Sequence, residues 1–426
     1  MTVHATPPVH SRAENVQRIV TPGGVKAWLV ESYAVPLVAL EFAVRGGAAQ
    51  DPVGKAGLGT MLAGLLDEGA GPYDARAFHR AVDDLAVHIG FSADRDSLSG
   101  HLQTLSRNAD KAFELLTFAV NDARLDQEAI ERVRSQLAAA LKRDANDPDA
   151  MVAKAFREAA FPGHPYGRSA RGELDTLRAL MRDDLDAMRA RLFARSDLKI
   201  AVVGAINAAT LSARLDQAFG AWPQQSKLEA IPAISIQNLG ARKIVDLDVP
   251  QTTMRFGRSG VARKDPDHFA ALVVNHILGG GVFTARLFHE VREKRGLAYS
   301  VYTQLNEYDQ CPMLIGGTST KNERAGESLE VIEQQFKDLC DDGPTEDELA
   351  KAKKYLTGSY ALRFDTSTKI ASQLVNLQLD ELDPSYLDER NAKIEAVTME
   401  DAKRVAKRLL GEGELLVAMA GRPVGL

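Results

Sequence analysis

Residues 35–52 read VPLVALEFAVRGGAAQDP, and residues 249–266 read VPQTTMRFGRSGVARKDP. Val35-Pro36 falls on Val249-Pro250, Phe42 on Phe256, Gly46 on Gly260 and Asp51-Pro52 on Asp265-Pro266, every pair 214 positions apart. One shared dipeptide arises easily by chance. Four matches in one register and one order do not, so the chain reads as a tandem repeat. The match extends outward from this stretch. A helix-like segment follows each Asp-Pro, Gly57 to Asp67 in one half and His268 to Leu278 in the other. A short apolar segment closes each half, DLKIAVVG at 197–204 and ELLVAMAG at 414–421, now 217 apart.

The repeat predicts two homologous domains of about 210 residues each. Their junction is expected after Trp222-Pro223, in residues 224–238, where polar residues and Pro232 interrupt the periodic pattern. That gives domains over 1–223 and 239–426. In the first, AWLVE at 27–31 and VALEFAV at 38–44 read as a strand pair, with apolar runs that fit a sheet covered on at least one face. Asp74 is placed to cap a helix from Ala75 to Leu85, and residues 88–93 and 97–105 read as two further strands. Thr345-Glu-Asp-Glu348 has the form of a capping box and opens a helix through about Ala361. Strands followed by groups of helices, twice over, give an α+β fold: two tandem domains, each a mostly antiparallel sheet with helices packed on one side.

Composition narrows the function. The 426 residues are 45% apolar and 26% charged, which excludes a disordered or low-complexity chain. Lys plus Arg number 52 against 58 Asp plus Glu, a net charge of −6, so no global attraction to nucleic acid or anionic lipid is expected. Cys311 and Cys340 are too few for a disulfide framework or a thiolate zinc site and read as buried or free thiols. No apolar run approaches the roughly 18–20 residues that span a bilayer. Residues 1–19 show no apolar leader core, so a cytoplasmic location is expected, or a periplasmic one had an export signal been removed.

Gly54-Lys-Ala-Gly57-Leu58 arrives after Arg45-Gly-Gly and Asp51-Pro52. It is followed in order by His164-Pro165-Tyr166-Gly167, by Gly279-Gly280-Gly281 leading to Arg286-Leu287, and by VREKRGLAYS at 291–300. Together these motifs span nearly the whole chain and resemble the pitrilysin/insulinase family of zinc metallopeptidases, in the bacterial group similar to mitochondrial processing peptidase. Active members place His-x-x-Glu-His just beyond the Gly-Leu. That spacing sets two imidazoles one helical turn apart on a single Zn²⁺ and brings the Glu to the zinc-bound water as general base. Here the corresponding positions are Thr60-Met61-Leu62-Ala63-Gly64, without imidazole or carboxylate. The resemblance implies a third ligand, a Glu, further downstream on a helix that opens like Glu131-Arg132. Counting on reaches Ala139 or Ala140, neither able to bind a metal, and Glu131 alone does not hold zinc. None of the nine histidines has another three or four residues away. His289-Glu290-x-x-Glu293 could take a cation but reads as a solvated helix face. No metal or cofactor is expected in this chain, and zinc is expected in a partner.

Arg292 and Tyr299 stand seven residues apart. Gly296 is expected to end the helix that holds Arg292, and LAYSVYT at 297–303 alternates as a strand, so a helix end turning into a strand can aim both side chains into one cleft. A guanidinium donates to peptide carbonyls through a planar fork, and a phenol can donate to an oxyanion forming on a scissile carbonyl. The resemblance implies that this pair faces the substrate across the cleft from the zinc. Spacing alone gives a different reading, in which Arg292 pairs with Glu290 or Glu293 and Tyr299 fills the core. The run Gly279 to Gly281 precedes neither a P-loop nor a dinucleotide fingerprint and reads as a tight helix-to-helix turn, one that lets a bound peptide approach the backbone.

The resemblance therefore implies a non-catalytic subunit of a heteromeric zinc metallopeptidase. It would be inactive alone, would bind unfolded peptides through Arg292 and Tyr299, and would be partnered by a homologous subunit carrying His-x-x-Glu-His. The alternative is a structural or assembly subunit, as relatives of this fold serve in respiratory complexes. A stand-alone peptidase with an unconventional site is the third.

Overall fold

The computed structural model describes residues 12–411 and 414–426; His4, His10 and the first eleven residues of the stretch read for a leader lie outside the described residues. The first sheet is built from β1 (Gln17–Val20), β2 (Lys26–Glu31), β3 (Leu37–Arg45), β4 (His88–Ala93), β5 (Ser97–Leu105) and β6 (Leu198–Gly204), in the order β1-β2-β6-β3-β5-β4. The second uses β7 (Arg242–Asp246), β8 (Gln251–Ser259), β9 (Ala298–Tyr308), β10 (Cys311–Lys321) and β11 (Leu416–Gly421), in the order β7-β11-β8-β10-β9. From β2 and β7 onward the two orders are the same. Directions agree as well: β6 runs parallel to β2 and β11 parallel to β7, and the remaining pairs are antiparallel. β3 and β8 are offset by the same 214 positions at both ends, so the register of the sequence repeat is the register of the fold.

One expectation is corrected. Residues 27–31 and 38–44 are strands but not hydrogen-bonded partners, because β6 lies between them, with Ala201 opposite Trp28 and Val202 opposite Leu40. A five-residue link suits a hairpin. The winning effect is the composition of β6, which is buried along all its length except at half-buried Lys199 and needs neighbours on both edges. Local signals hold: Asp74 accepts the N–H of Ala77 at 2.8 Å to start the helix Ala75–Asp84, and Thr345 and Glu348 form the reciprocal capping box of the helix Glu346–Gly358.

Each sheet buries one face under helices of its own half. Val38, Leu40, Phe42 and Val44 of β3 pack with Phe113, Leu116, Leu211 and Leu215. The opposite face is covered by a helix from the other half. Leu374, Val375 and Leu377 of the helix Ser367–Leu379 lie on Ala43, Ala201 and Val203 of the first sheet. Val152, Phe156 and Ala160 of the helix Pro148–Ala160 lie on Met313, Leu416 and Ala418 of the second. Ala43 and Ala201 on the first sheet and Gly257 and Ala418 on the second let the helices approach closely, and the exchange is reciprocal. A further clasp joins the halves: the Tyr166 hydroxyl donates to Asp96 at 2.6 Å and accepts the N–H of Gln310 at 3.0 Å.

Burial pushes the Glu41 carboxyl up to about 7 and those of Asp67 and Asp96 up to about 6. A carboxyl with a raised folded pKa binds its proton more tightly in the fold, so this stability is full at low pH and is lost as pH rises from 4.5 to about 7 for Glu41 and from 3.8 to about 6 for the two aspartates. Glu41→Gln imitates the protonated form. It is expected to raise stability at pH 8 by about 1–2 kcal/mol, after allowing for partial solvent screening, and to lose most of that advantage by pH 5. Thermal unfolding at the two pH values checks this; equal gains at both would contradict it.

Candidate functional site

The helix that would hold a metal is short, Leu58–Ala63, and follows Gly57 at φ +97°. The N–H groups of Gly57 and Gly59 donate to the Asp51 carboxylate at 2.8 and 2.9 Å, which ties the Asp51-Pro52 turn to the Gly57-Leu58 lead-in of the helix. Desolvation still pushes Asp51 up to about 6. Met61, Leu62 and Ala63 are buried, and the Thr60 hydroxyl donates to the Ala170 carbonyl at 2.6 Å. A side chain at Gly64 would begin 3.4 Å from Val133 of the helix Gln127–Asp144. Further along that helix Ala139 is exposed and Ala140 half-buried, while Glu131 is bonded to Gln127 and Arg134. Methyl groups, a committed hydroxyl and a glycine do not fit the zinc that the fold otherwise implies. Among the described residues, no group of three or more His, Cys, Asp or Glu side chains is placed to hold a metal ion.

The second half supplies the groups that face outward. Phe288–Glu293 is a π-helical segment, with the Lys294 N–H reaching the His289 carbonyl at 2.9 Å. Gly296, at φ +59°, then ends it by donating to the Arg292 carbonyl at 3.0 Å, in the role its sequence position predicts. The guanidinium of Arg292 lies between two rings, 4.8 Å from that of Phe288 and 4.6 Å from that of Tyr299. Tyr299 is 82% exposed. The reading from spacing alone is therefore overturned on both counts. Glu290 is taken by Lys294 and Arg295, Glu293 faces His289, and Tyr299 is not in the core.

Strand alternation by itself would put Tyr299 on the inner face with buried Val301 and Thr303. A β-bulge prevents it. Val301 pairs with Thr318 and Ala298 with Thr320, so Tyr299 and Ser300 together oppose Ser319, and both point to solvent. Two buried threonines of β10 pin this geometry: Thr318 donates to the Ser300 carbonyl at 2.8 Å and Thr320 to the Leu297 carbonyl at 2.6 Å. Nothing in the sequence singles them out. Thr320→Val is expected to cost about 1–2 kcal/mol by leaving that carbonyl unpaired, and to speed amide exchange at residues 298–301 selectively. Unchanged exchange there would show that the bulge stands without its pin.

β9 is the outer strand of its sheet, with Tyr302 and Gln304 exposed beyond Tyr299. The triple glycine lies behind it: Gly279 packs where any Cβ would fall 2.6 Å from the Thr303 hydroxyl, so close approach to the strand requires glycine there. A separate cavity of about 790 Å³ lies between the halves, walled by Arg95, Arg263, His268, Glu307, Asp380 and Arg390 among others. Neither Arg292 nor Tyr299 is part of it.

Comparison with known proteins agrees with this architecture. The family description "Insulinase (Peptidase family M16)" matches residues 29–173, and "Peptidase M16 inactive domain" matches residues 179–356. A protein of Helicobacter pylori described as a non-peptidase homolog, YmxG, is 27% identical over 79% of this chain and 78% of its own length. An uncharacterized zinc protease of Mycobacterium leprae is 25% identical over 94% of this chain and 91% of its own. The crystal structure of a peptidase M16 inactive domain from Pseudomonas fluorescens superposes with a TM-score of 0.90 at 26% identity, covering 96% of this chain and 98% of that one. With the tandem sheets, the Gly-Leu lead-in and a ligand-free helix behind it, the chain belongs to the insulinase family, peptidase family M16, as an inactive member.

Proposed function

We propose that this chain is the non-catalytic subunit of a heteromeric zinc metallopeptidase. Arg292 and Tyr299 bind the peptide substrate, and a homologous subunit with an intact His-x-x-Glu-His supplies the zinc and the general base. Residues 1–223 and 239–426 are then its two peptidase-like domains, joined by 224–238. The observation that carries this reading is the outward turn of Tyr299 at a pinned bulge, backed by a guanidinium. Burial would account for a core tyrosine, but packing has no use for one that is 82% exposed. An extended peptide laid along the free edge of β9 would pass both groups, which can donate to its carbonyls.

The test is reconstitution with a family member that retains His-x-x-Glu-His, such as one encoded beside this chain. Each chain alone is expected to leave an unfolded peptide intact, and the mixture to cut it. A partner fully active by itself and indifferent to this chain would contradict the proposal and favour the structural or assembly role.

A further inference from the structure

The outer face of the first sheet holds a second feature with no part in peptide binding. Beyond the end of the covering helix Ser367–Leu379, β2 and β6 run parallel with Trp28 opposite Ala201, and two residues before these stand Lys26 and Lys199, on the same face of their strands as Trp28 and Ala201. They wall a cavity of about 730 Å³ together with Arg195 and Trp28. Among the described residues neither lysine forms an ion pair. Lys199 is half-buried, and burial first, then the nearby Arg45 charge, hold its ammonium below the usual lysine range, against opposing pulls from Asp197 and Glu381 and with only a small push from Lys26. The one carboxylate of the wall, Glu381, is held by Lys264 and also faces Arg45. The remaining polar wall includes the amides of Gln224, Gln225 and Gln378, the last donating to the Ile200 carbonyl at 2.9 Å, and Arg195, whose guanidinium is anchored by the Gly23 carbonyl. With Lys26, Arg195 and Lys199 against Glu381 alone, the wall of the cavity carries a positive balance, which favours an anion inside it.

We infer that this cavity is a binding site for a multiply charged phosphoryl anion, clasped by Lys26, Lys199 and Arg195. The volume is that of a small-molecule site and exceeds what inorganic phosphate needs. Trp28 lines one side, where it would stack on a base if the ligand were a nucleotide.

The probes are inorganic pyrophosphate and ATP, titrated without metal into the full chain and followed by tryptophan fluorescence and by melting temperature. Trp222 is buried and stacked on Phe193 at 4.5 Å, so a change on binding reports Trp28. Saturable pyrophosphate binding is expected, weakened at least about 10-fold in Lys199→Gln and in Lys26→Gln, since each removes a charge-assisted contact. Both variants are expected to melt no lower than the parent without anion, because each relieves repulsion. ATP binding more tightly than pyrophosphate would identify a nucleotide as the source, and equal binding an inorganic phosphoryl group. No saturable binding of either probe, or binding that both substitutions leave intact, would overturn the inference.

Discussion

Tyr299→Phe in the reconstituted peptidase is expected to lower kcat by about 10²-fold, the usual loss when one donor to a developing oxyanion is removed. The substitution keeps the ring under the Arg292 guanidinium and takes away only the hydroxyl, so complex formation and melting temperature should not move. Arg292→Ala removes the other donor together with the cation that holds the ring, between Phe288 and Tyr299. It is expected to raise KM as well as lower kcat, because the fork engages the peptide in ground and transition states alike. Arg292→Lys should rescue little, since an ammonium neither stacks as a guanidinium does nor presents a planar pair of donors. Steady-state kinetics on one extended peptide, with each variant mixed into the same partner, separates these effects. Parent-like kinetics for both Tyr299→Phe and Arg292→Ala would remove the pair from the substrate and leave the chain as scaffold.

The second large effect is on stability. Phe156 of the helix Pro148–Ala160 is 4% exposed and lies against the second sheet, its ring 3.0 Å from where a Cβ at Gly257 would stand. Phe156→Ala is expected to destabilise the chain by about 3–5 kcal/mol through lost burial and the cavity left behind. Because the contact joins the halves, the loss should lower a single cooperative transition and not detach one sheet from the other. By the same reasoning, a chain ending at residue 223 is expected not to fold. It would expose Ala43, Ala201 and Val203, which the helix Ser367–Leu379 covers, and leave the apolar side of the helix Pro148–Ala160 without its sheet. Calorimetry of Phe156→Ala showing two separated transitions would mean that the exchanged helices do not couple the halves.

Much of this architecture is legible in the residues because the repeat is a statement about register, and register is what a sheet conserves between its copies. Asp74, Thr345 and Gly296 act where their types predict, since caps depend on a few neighbouring atoms. Strand order was not readable for β6, whose neighbours are chosen by burial on both edges and not by proximity in the chain. Nor was the exchange of helices, because an apolar helix face does not say which sheet it will cover. The site divides in the same way. The missing ligands at Thr60, Ala63 and Gly64 can be read directly. The orientation of Tyr299 cannot: alternation sends it inward, and only the bulge opposite Ser319, fixed by Thr318 and Thr320 through backbone carbonyls, sends it out.

The division of labour between two chains is tested most directly by counting metal. Elemental analysis of the reconstituted, dialysed complex is expected to give one zinc per pair of chains, none when the partner's His-x-x-Glu-His is replaced, and none in this chain alone. Near-stoichiometric zinc in this chain alone would contradict the account.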